Sequence, residues 1–562
     1  MVGFSKIFHY LCSKKSEDRK RMSCPESLIY NSLSLVYLQI FTYEEFDNTL
    51  LDKAQFTPIP NSIDKQIFEL NDGSESPVER YRLKPFTFEL SLNDKQNIEG
   101  EIFVEMSLFF NRTVSLTYRM VINETSCKKI NALRAESGQQ KEPEKYICKS
   151  TTALSTDDLI ALSALRVGAE HWNCDEDGPE HETASNINIK LSKLHIENFY
   201  LDENGELRTS GIETNTESLY LEEIQRRYKK FIFNTQRCIQ RQKERSRSFK
   251  VLYPKIDLTT YEGDCTKDLN YVYIDVWEDI SSSGNEFKGK REEDIVSHIY
   301  ENHQRELIGL MSFYPYEWPY RAKESFGDVC GANVAIDTDD LILLNQNICV
   351  VFGTYGLRGK NAATDWEKHL EERKHYHVSW PEYLLILEMI LAKKYTMIAV
   401  SDLYLDKALN IPSVKKIRSL IEDNALYSLK VTTILLRLDA VKYSRYISHI
   451  IMYEKSAQRL GIEKEAERLN DIMDKTDKSL LNISDMRRLQ YSSQLNILLG
   501  VISAASLLTF LFYKLEVPFI EALGYGESTD ETGFALISFA ILLLLIFVIR
   551  VTIMNIKNNR LR

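Results

Sequence analysis

Close cysteine pairs are the first thing this chain lacks. Its nine cysteines, at positions 12, 24, 127, 148, 174, 238, 265, 330 and 349, never approach nearer than 12 residues. That spacing excludes CxxC redox motifs, zinc ribbons and zinc fingers, and the odd, scattered count reads as reduced thiols rather than a disulfide framework. HExxH, GxSxG and EF-hand patterns are also missing, so no motif marks the chain as an enzyme. The stretch from Gly353 to Lys360 has the look of a phosphate loop. Its glycine spacing fails GxxxxGK(S/T), however, and Asn361 stands where a Ser or Thr is required. A basic surplus is lacking too: 70 Lys and Arg stand against 81 Asp and Glu, a net charge of −11, which argues against a dedicated nucleic-acid binder. At the N-terminus, Lys6 and His9 interrupt the apolar stretch and no small-residue cleavage site follows, so no signal peptide is read there.

Two long uncharged runs are present instead. One covers the 25 residues Leu489–Tyr513 and the other the 18 residues Thr532–Ile549. About 20 apolar residues suffice to cross a bilayer as a helix, so both are expected to do so. Arg487 and Arg488 precede the first run, and Arg550, Lys557, Arg560 and Arg562 follow the second. Between them, Lys514 to Glu531 carries one lysine and five acids. The positive-inside rule then predicts a multi-pass membrane protein with both termini cytoplasmic and the acidic loop outside. In the first run, Asn496, Gly500, Ser503, Leu507 and Phe510 share one helical face. Such a face serves either close helix packing or the lining of a pore built by oligomerisation. Lys514, Glu516 and Glu521 would stand at the outer mouth.

The rest of the chain reads as a mixed domain. Residues 84–122 alternate as antiparallel β, with Ile102, Val104, Met106 and Leu108 answered by Val114, Leu116, Tyr118 and Met120. Further strands are predicted at 249–258, 270–277, 340–344 and 347–353. From Trp380 the pattern turns helical. Between 462 and 483 it becomes a heptad, with Ala466, Met473 and Leu480 on one position and Ile462, Leu469 and Ile483 on the next. No Pro or Gly interrupts Glu463 to Gln494, which predicts a long stalk helix. The fold class expected is therefore an α+β cytosolic domain with a stalk helix and two C-terminal transmembrane helices. Its parts are a mixed β/α cytosolic domain over 1–380, a helical region with the stalk helix over 381–490, spans at 491–513 and 532–554, an extracytoplasmic loop at 514–531, and a basic tail at 555–562.

That order of parts resembles the CorA family of divalent-cation transporters and channels. The segments DLILLNQNICVVFGTYG and SWPEYLLILEMILAKKY look like the family's last strand and following helices, and the likeness covers roughly residues 335–562. It implies a homopentamer with the first span around the pore and Asn496 near its cytosolic mouth. The family's Gly-Met-Asn motif is replaced here by Phe510-Leu511-Phe512-Tyr513-Lys514. In that respect, and in its enlarged N-terminal part, the chain is similar to the divergent CorA-like membrane effectors of type III CRISPR antiviral defence. Membership of that group implies an ion channel of the cell inner membrane, with residues 1–380 as its ligand-sensing domain, gated by a nucleotide second messenger of the S-adenosylmethionine–AMP type and with no direct contact to nucleic acid. The alternatives are a constitutive divalent metal ion transporter with an altered filter and a non-conducting, membrane-anchored scaffold.

A messenger of this kind needs cations for its phosphate. Residues 226–250 hold ten basic residues and one acid, with Arg227, Lys230, Arg237 and Arg241 at helical spacing. The same pattern suits a solvated helix face or a contact with anionic lipid. Arg112, Arg119 and Arg134 form a second basic group. The aromatic stretch 313–321, FYPYEWPYR, fits a packing loop or a base-stacking slot. His171, Cys174 and His181, and separately His369, His375 and His377, lack structural zinc spacing and read as exposed loop residues.

Overall fold

In the computed structural model, residues are described within 27–42, 56–59, 78–123, 149–166, 193–245, 268–353, 381–439 and 444–522, with short gaps inside these ranges. Sixteen strands occur among them. In chain order they are β1 (Leu28–Tyr30), β2 (Ser32–Thr42), β3 (Thr57–Pro58), β4 (Val78–Arg82), β5 (Phe86–Asn93), β6 (Gln96–Phe109), β7 (Thr113–Asn123) and β8 (Lys149–Ser150). There follow β9 (Leu154–Ser155), β10 (Leu194–Glu197), β11 (Thr216–Leu219), β12 (Leu269–Val276), β13 (Ile280–Ser282), β14 (Asn285–Glu286), β15 (Asp340–Leu344) and β16 (Ile348–Gly353). The helices are α1 (Thr156–Ser163), α2 (Leu221–Arg245), α3 (Glu292–Asn302), α4 (Gln304–Ser312), α5 (Phe326–Val329), α6 (Pro381–Leu409), α7 (Ile417–Leu438), α8 (Ile447–Arg459) and α9 (Ile462–Ala522).

One mixed sheet of twelve strands organises the fold, in the order β11-β10-β5-β6-β7-β2-β12-β16-β15 with β3, β4 and β8 attached to its side. Only β12–β16 is parallel among the described pairs; the rest are antiparallel. Alternation along each strand sends Leu35, Tyr37, Val104, Leu116, Tyr118 and Ile274 into a core shared with α1 to α4. The other face sends Val36, Leu38, Ile40, Tyr271 and Val351 into a core shared with α6, α8 and the first turns of α9. Helix α6 is apolar nearly all round (EYLLILEMILAKKYTMIAV), and a helix of that composition must be covered on every side. Most of its side chains from Tyr383 to Val400 are buried. The outer edge of β15 is closed by backbone and side-chain partners rather than left open: the Val334 N–H donates to the Ile342 carbonyl, and Asn333 Oδ1 accepts the Ile342 N–H.

The expected hairpin over 84–122 is found as β5, β6 and β7, and the strands at 270–277, 340–344 and 347–353 as β12, β15 and β16. The strand at 249–258 lies outside the described residues. The unbroken helix is also found: α9 is one helix of 61 residues that buries Ile462, Leu469, Met473 and Leu480 on its heptad positions.

The two-span fold class is corrected. Among the described residues no helix is long and apolar enough to cross a membrane, and the chain is a mixed α/β fold with a large mixed sheet. The first apolar run is the middle of α9, which continues through Lys514, Glu516 and Glu521 to Ala522, so these three residues stand in a helix rather than an outer loop. The second run lies outside the described residues. The multi-pass inner-membrane placement and the transmembrane character are corrected on the same finding. The physical reason is that an uncharged run records how much surface a helix must cover, not what covers it. The chain divides into two compact units, Met1–Leu409 with Leu426–Met473, and Asn410–Ala425 with Asp474–Arg562.

Candidate functional site

Charged side chains are rare inside a sheet–helix interface because each must be desolvated, yet the α6 side of the sheet gathers five. Strand pairing places Arg82 opposite Glu105, Arg80 opposite Ser107, and Ser107 opposite Ser115, all on the face that α6 covers. Arg119 sits diagonally from Glu105 on β7. Its guanidinium lies 2.7 Å from the Glu105 carboxylate, and Arg82 reaches the other Glu105 oxygen at 2.9 Å. Arg119 and Glu105 are almost wholly buried. From α6, the fully buried Glu388 accepts hydrogen bonds from Ser115 Oγ at 3.1 Å and Ser107 Oγ at 3.3 Å. Burial raises the Glu388 carboxyl above its ordinary pKa, against the opposing pull of Arg80 and Arg119. Burial likewise lowers Arg119, and Glu105 opposes that shift. Glu105 thus links β4, β6 and β7 through Arg82 and Arg119, and Glu388 ties β6 and β7 to α6 through Ser107 and Ser115.

Further along α6 a second polar node holds the root of α9. Helices α8 and α9 are joined by Leu460 and Gly461 alone, and Gly461 has φ +72°, the left-handed conformation of a helix-ending glycine. Lys394 of α6 donates to Gln346 Oε1 in the β15–β16 turn. Gln346 Nε2 in turn donates to the Arg459 carbonyl at 3.0 Å, and the Arg459 guanidinium donates to the Asp328 carbonyl at 2.7 Å. Burial lowers the Lys394 ammonium, with Glu465 in the first turn of α9 opposing it. Nearby, Lys393 lies 2.6 Å from Asp439, which also accepts from the Tyr453 hydroxyl.

His449, on α8, is buried and its pKa falls to about 4 because the imidazolium would lose its hydration. Its partner is the Ser444 hydroxyl at 3.4 Å. The folded protein holds it neutral while the unfolded chain takes up a proton near the ordinary value of about 6.5. Stability is therefore expected to fall as the pH drops from about 6.5 towards 4, by about 2 kcal/mol after allowing for partial solvent screening. Comparing urea unfolding of the wild type and His449→Gln at pH 7 and pH 4.5 checks this; an equal acid loss in both would remove His449 as its source.

The structure brings few of the expected site residues together. Arg227 is nearly fully buried and already engaged: it lies 2.8 Å from Glu217 and 3.0 Å from Glu223, and its guanidinium stands over the Phe199 ring. Lys230 donates to the Glu203 carbonyl at 3.0 Å. Arg237 and Arg241 lie on α2 beyond the described side chains. Asn496, Gly500, Ser503 and Leu507 are exposed on α9, and Phe510 is on the same helix. Arg119 is an ion-paired core residue, whereas Arg112 and Arg134 lie outside the described residues, as do both histidine groups. Trp318 of the aromatic stretch is buried against Gly309 and donates to Asp157 at 3.0 Å, which makes it a packing residue. No group of three His, Cys, Asp or Glu able to hold a metal occurs among the described residues.

Sequence reading missed the charged interface. Its signal was Glu388, the one charge between Tyr383 and Ala392 in α6, together with strand positions Arg80, Glu105 and Arg119 opposite an apolar face. No protein-family model, no curated protein and no solved structure matches this chain.

Proposed function

We propose that the chain is a non-catalytic sensor and relay, in which the mixed α/β domain controls the assembly of identical copies through α9. The carrying observation is the change along that one helix. Ile462, Leu469, Met473 and Leu480 are buried, whereas Leu481, Met486, Leu489, Tyr491, Leu495 and Ile502 are each at least half exposed. Leu481, Leu495 and Ile502 recur at multiples of seven, and Leu498 follows Leu495 by three, the spacing with which a helix packs on copies of itself. An apolar surface of this extent calls for a partner.

Helix α6 supplies the connection to the sheet, since Glu388 and Lys394 of the same helix serve the two polar nodes. In this reading the resemblance to the CorA family lies in an α/β domain acting through one long helix on a ring of copies, five in that family. The input is a nucleotide second messenger of the S-adenosylmethionine–AMP type.

Sedimentation velocity of the full chain tests the proposal. The wild type is expected to sediment as a defined oligomer and the Leu495→Asp/Ile502→Asp double variant as a monomer. A monomeric wild type overturns the assembly. Identical sedimentation and identical thermal unfolding with and without the S-adenosylmethionine–AMP conjugate overturn the messenger.

A further inference from the structure

A two-residue corner fixes the direction in which α9 leaves α8, so whatever restrains that corner sets the helix. The Gly461 N–H donates to the Gln458 carbonyl at 3.1 Å, and the Gly461 carbonyl accepts the Glu465 N–H at 3.1 Å. The turn itself is thus made within the two helices. The sheet reaches it by two routes: Arg459 Nε donates to the Leu344 carbonyl of β15 at 3.3 Å, and Gln346 joins the turn to both helices. This amide belongs to the β15–β16 turn, accepts from Lys394 of α6 and donates to the Arg459 carbonyl in the last turn of α8. Its Nε2 lies 3.8 Å from where a Gly461 Cβ would be, so it flanks the corner without filling it. Asn345, its neighbour, has the different task of building the turn, accepting the Asn347 and Ile348 N–H groups and donating to the Met311 carbonyl. The bonds of the Gln346 amide to Lys394 and Arg459 point instead to the helices.

We infer that Gln346 is a positioning residue that couples the sheet turn and α6 to the root of α9, and that releasing it loosens the corner while the α/β domain stays folded. This rests on the relay reading above. Chemically, one primary amide serves as both donor and acceptor, so it reports to α6 and α8 together. A carboxylate can serve only α6, and an alkyl side chain serves neither.

Hydrogen exchange of the full-length protein, read by peptide mass, tests it. In Gln346→Leu, amides over 460–470 are expected to exchange about tenfold faster, the factor that one net hydrogen bond supports. Gln346→Glu keeps the acceptor for Lys394 and should give a smaller increase. Peptides over β12 and β16 should be unchanged in both. Wild-type exchange at 460–470 in Gln346→Leu would overturn the inference. So would an equal rise across β12 and β16, because Gln346 would then be a residue of the sheet turn only. If the exchange response appears in a protein that sediments as a monomer, the coupling stands and the assembly reading fails.

Discussion

Glu105→Gln is expected to cost the fold about 3 kcal/mol, the loss associated with breaking a buried ion pair by removing one partner. The reason is local. Glu105 lies between two guanidinium groups, 2.7 Å from that of Arg119 and 2.9 Å from that of Arg82. Neutralising it leaves Arg119, which has no solvent exposure, beside the like charges of Arg80 and Arg82. Glu388→Gln provides the contrast. Burial has raised the Glu388 carboxyl, so its ionised form works against folding; that penalty is absent below the unfolded pKa and grows as pH rises towards the folded one. The Glu388→Gln variant should therefore match or exceed wild-type stability at pH 8, with the gain shrinking towards pH 4. Urea unfolding followed by circular dichroism measures both. A Glu105→Gln loss below about 1 kcal/mol would mean that the network is not the fastening described here.

Gly309→Val should be almost as damaging, although replacing a mid-helix glycine ordinarily gains a few tenths of a kcal/mol for the better helix former. Here a Cβ on residue 309 would stand 2.3 Å from the Trp318 Cβ, well inside contact distance. Trp318 cannot retreat freely, since it is buried and its indole N–H is bound to Asp157. Overpacking of this kind costs about 3 kcal/mol, which outweighs the helix gain. In a Trp318→Ala background the same substitution should lose much of its effect. An unchanged unfolding midpoint for the single variant would place Trp318 elsewhere.

The local signals were strong where one face of an element carried one kind of residue. Ile102, Val104, Met106 and Leu108 could only be one side of a buried strand, and the heptad from Ile462 to Ile483 in an unbroken segment could only be a long helix. Both are present. The opposite side of β6 is different. Phe103, Glu105 and Ser107 mix apolar and polar side chains, and α6 covers Ser107 because Glu388, 281 positions later, is brought to that surface. Nothing in a strand's own alternation records which helix will lie on it.

Arg227 shows the same division from the other direction. Its helical spacing with Lys230 was legible, but whether its charge is available depended on Glu217, which β11 delivers, and on Phe199, which packs beneath it. The uncharged run from Leu489 to Tyr513 predicts a bilayer span, an expectation corrected by the structure, where no helix among the described residues is long and apolar enough to cross a membrane. Periodicity and composition act along the chain, over a few turns or residues, and they show β5 to β7, β12, β15, β16 and the helical character from Trp380, whereas β2 inside the large sheet and helices α1, α3 and α4 carry no such reading. Pairing of charges, closeness of Gly309 to Trp318 and the fastening of α9 at Gln346 depend on contacts that no local pattern records, and those were decided by how the sheet and its helices pack.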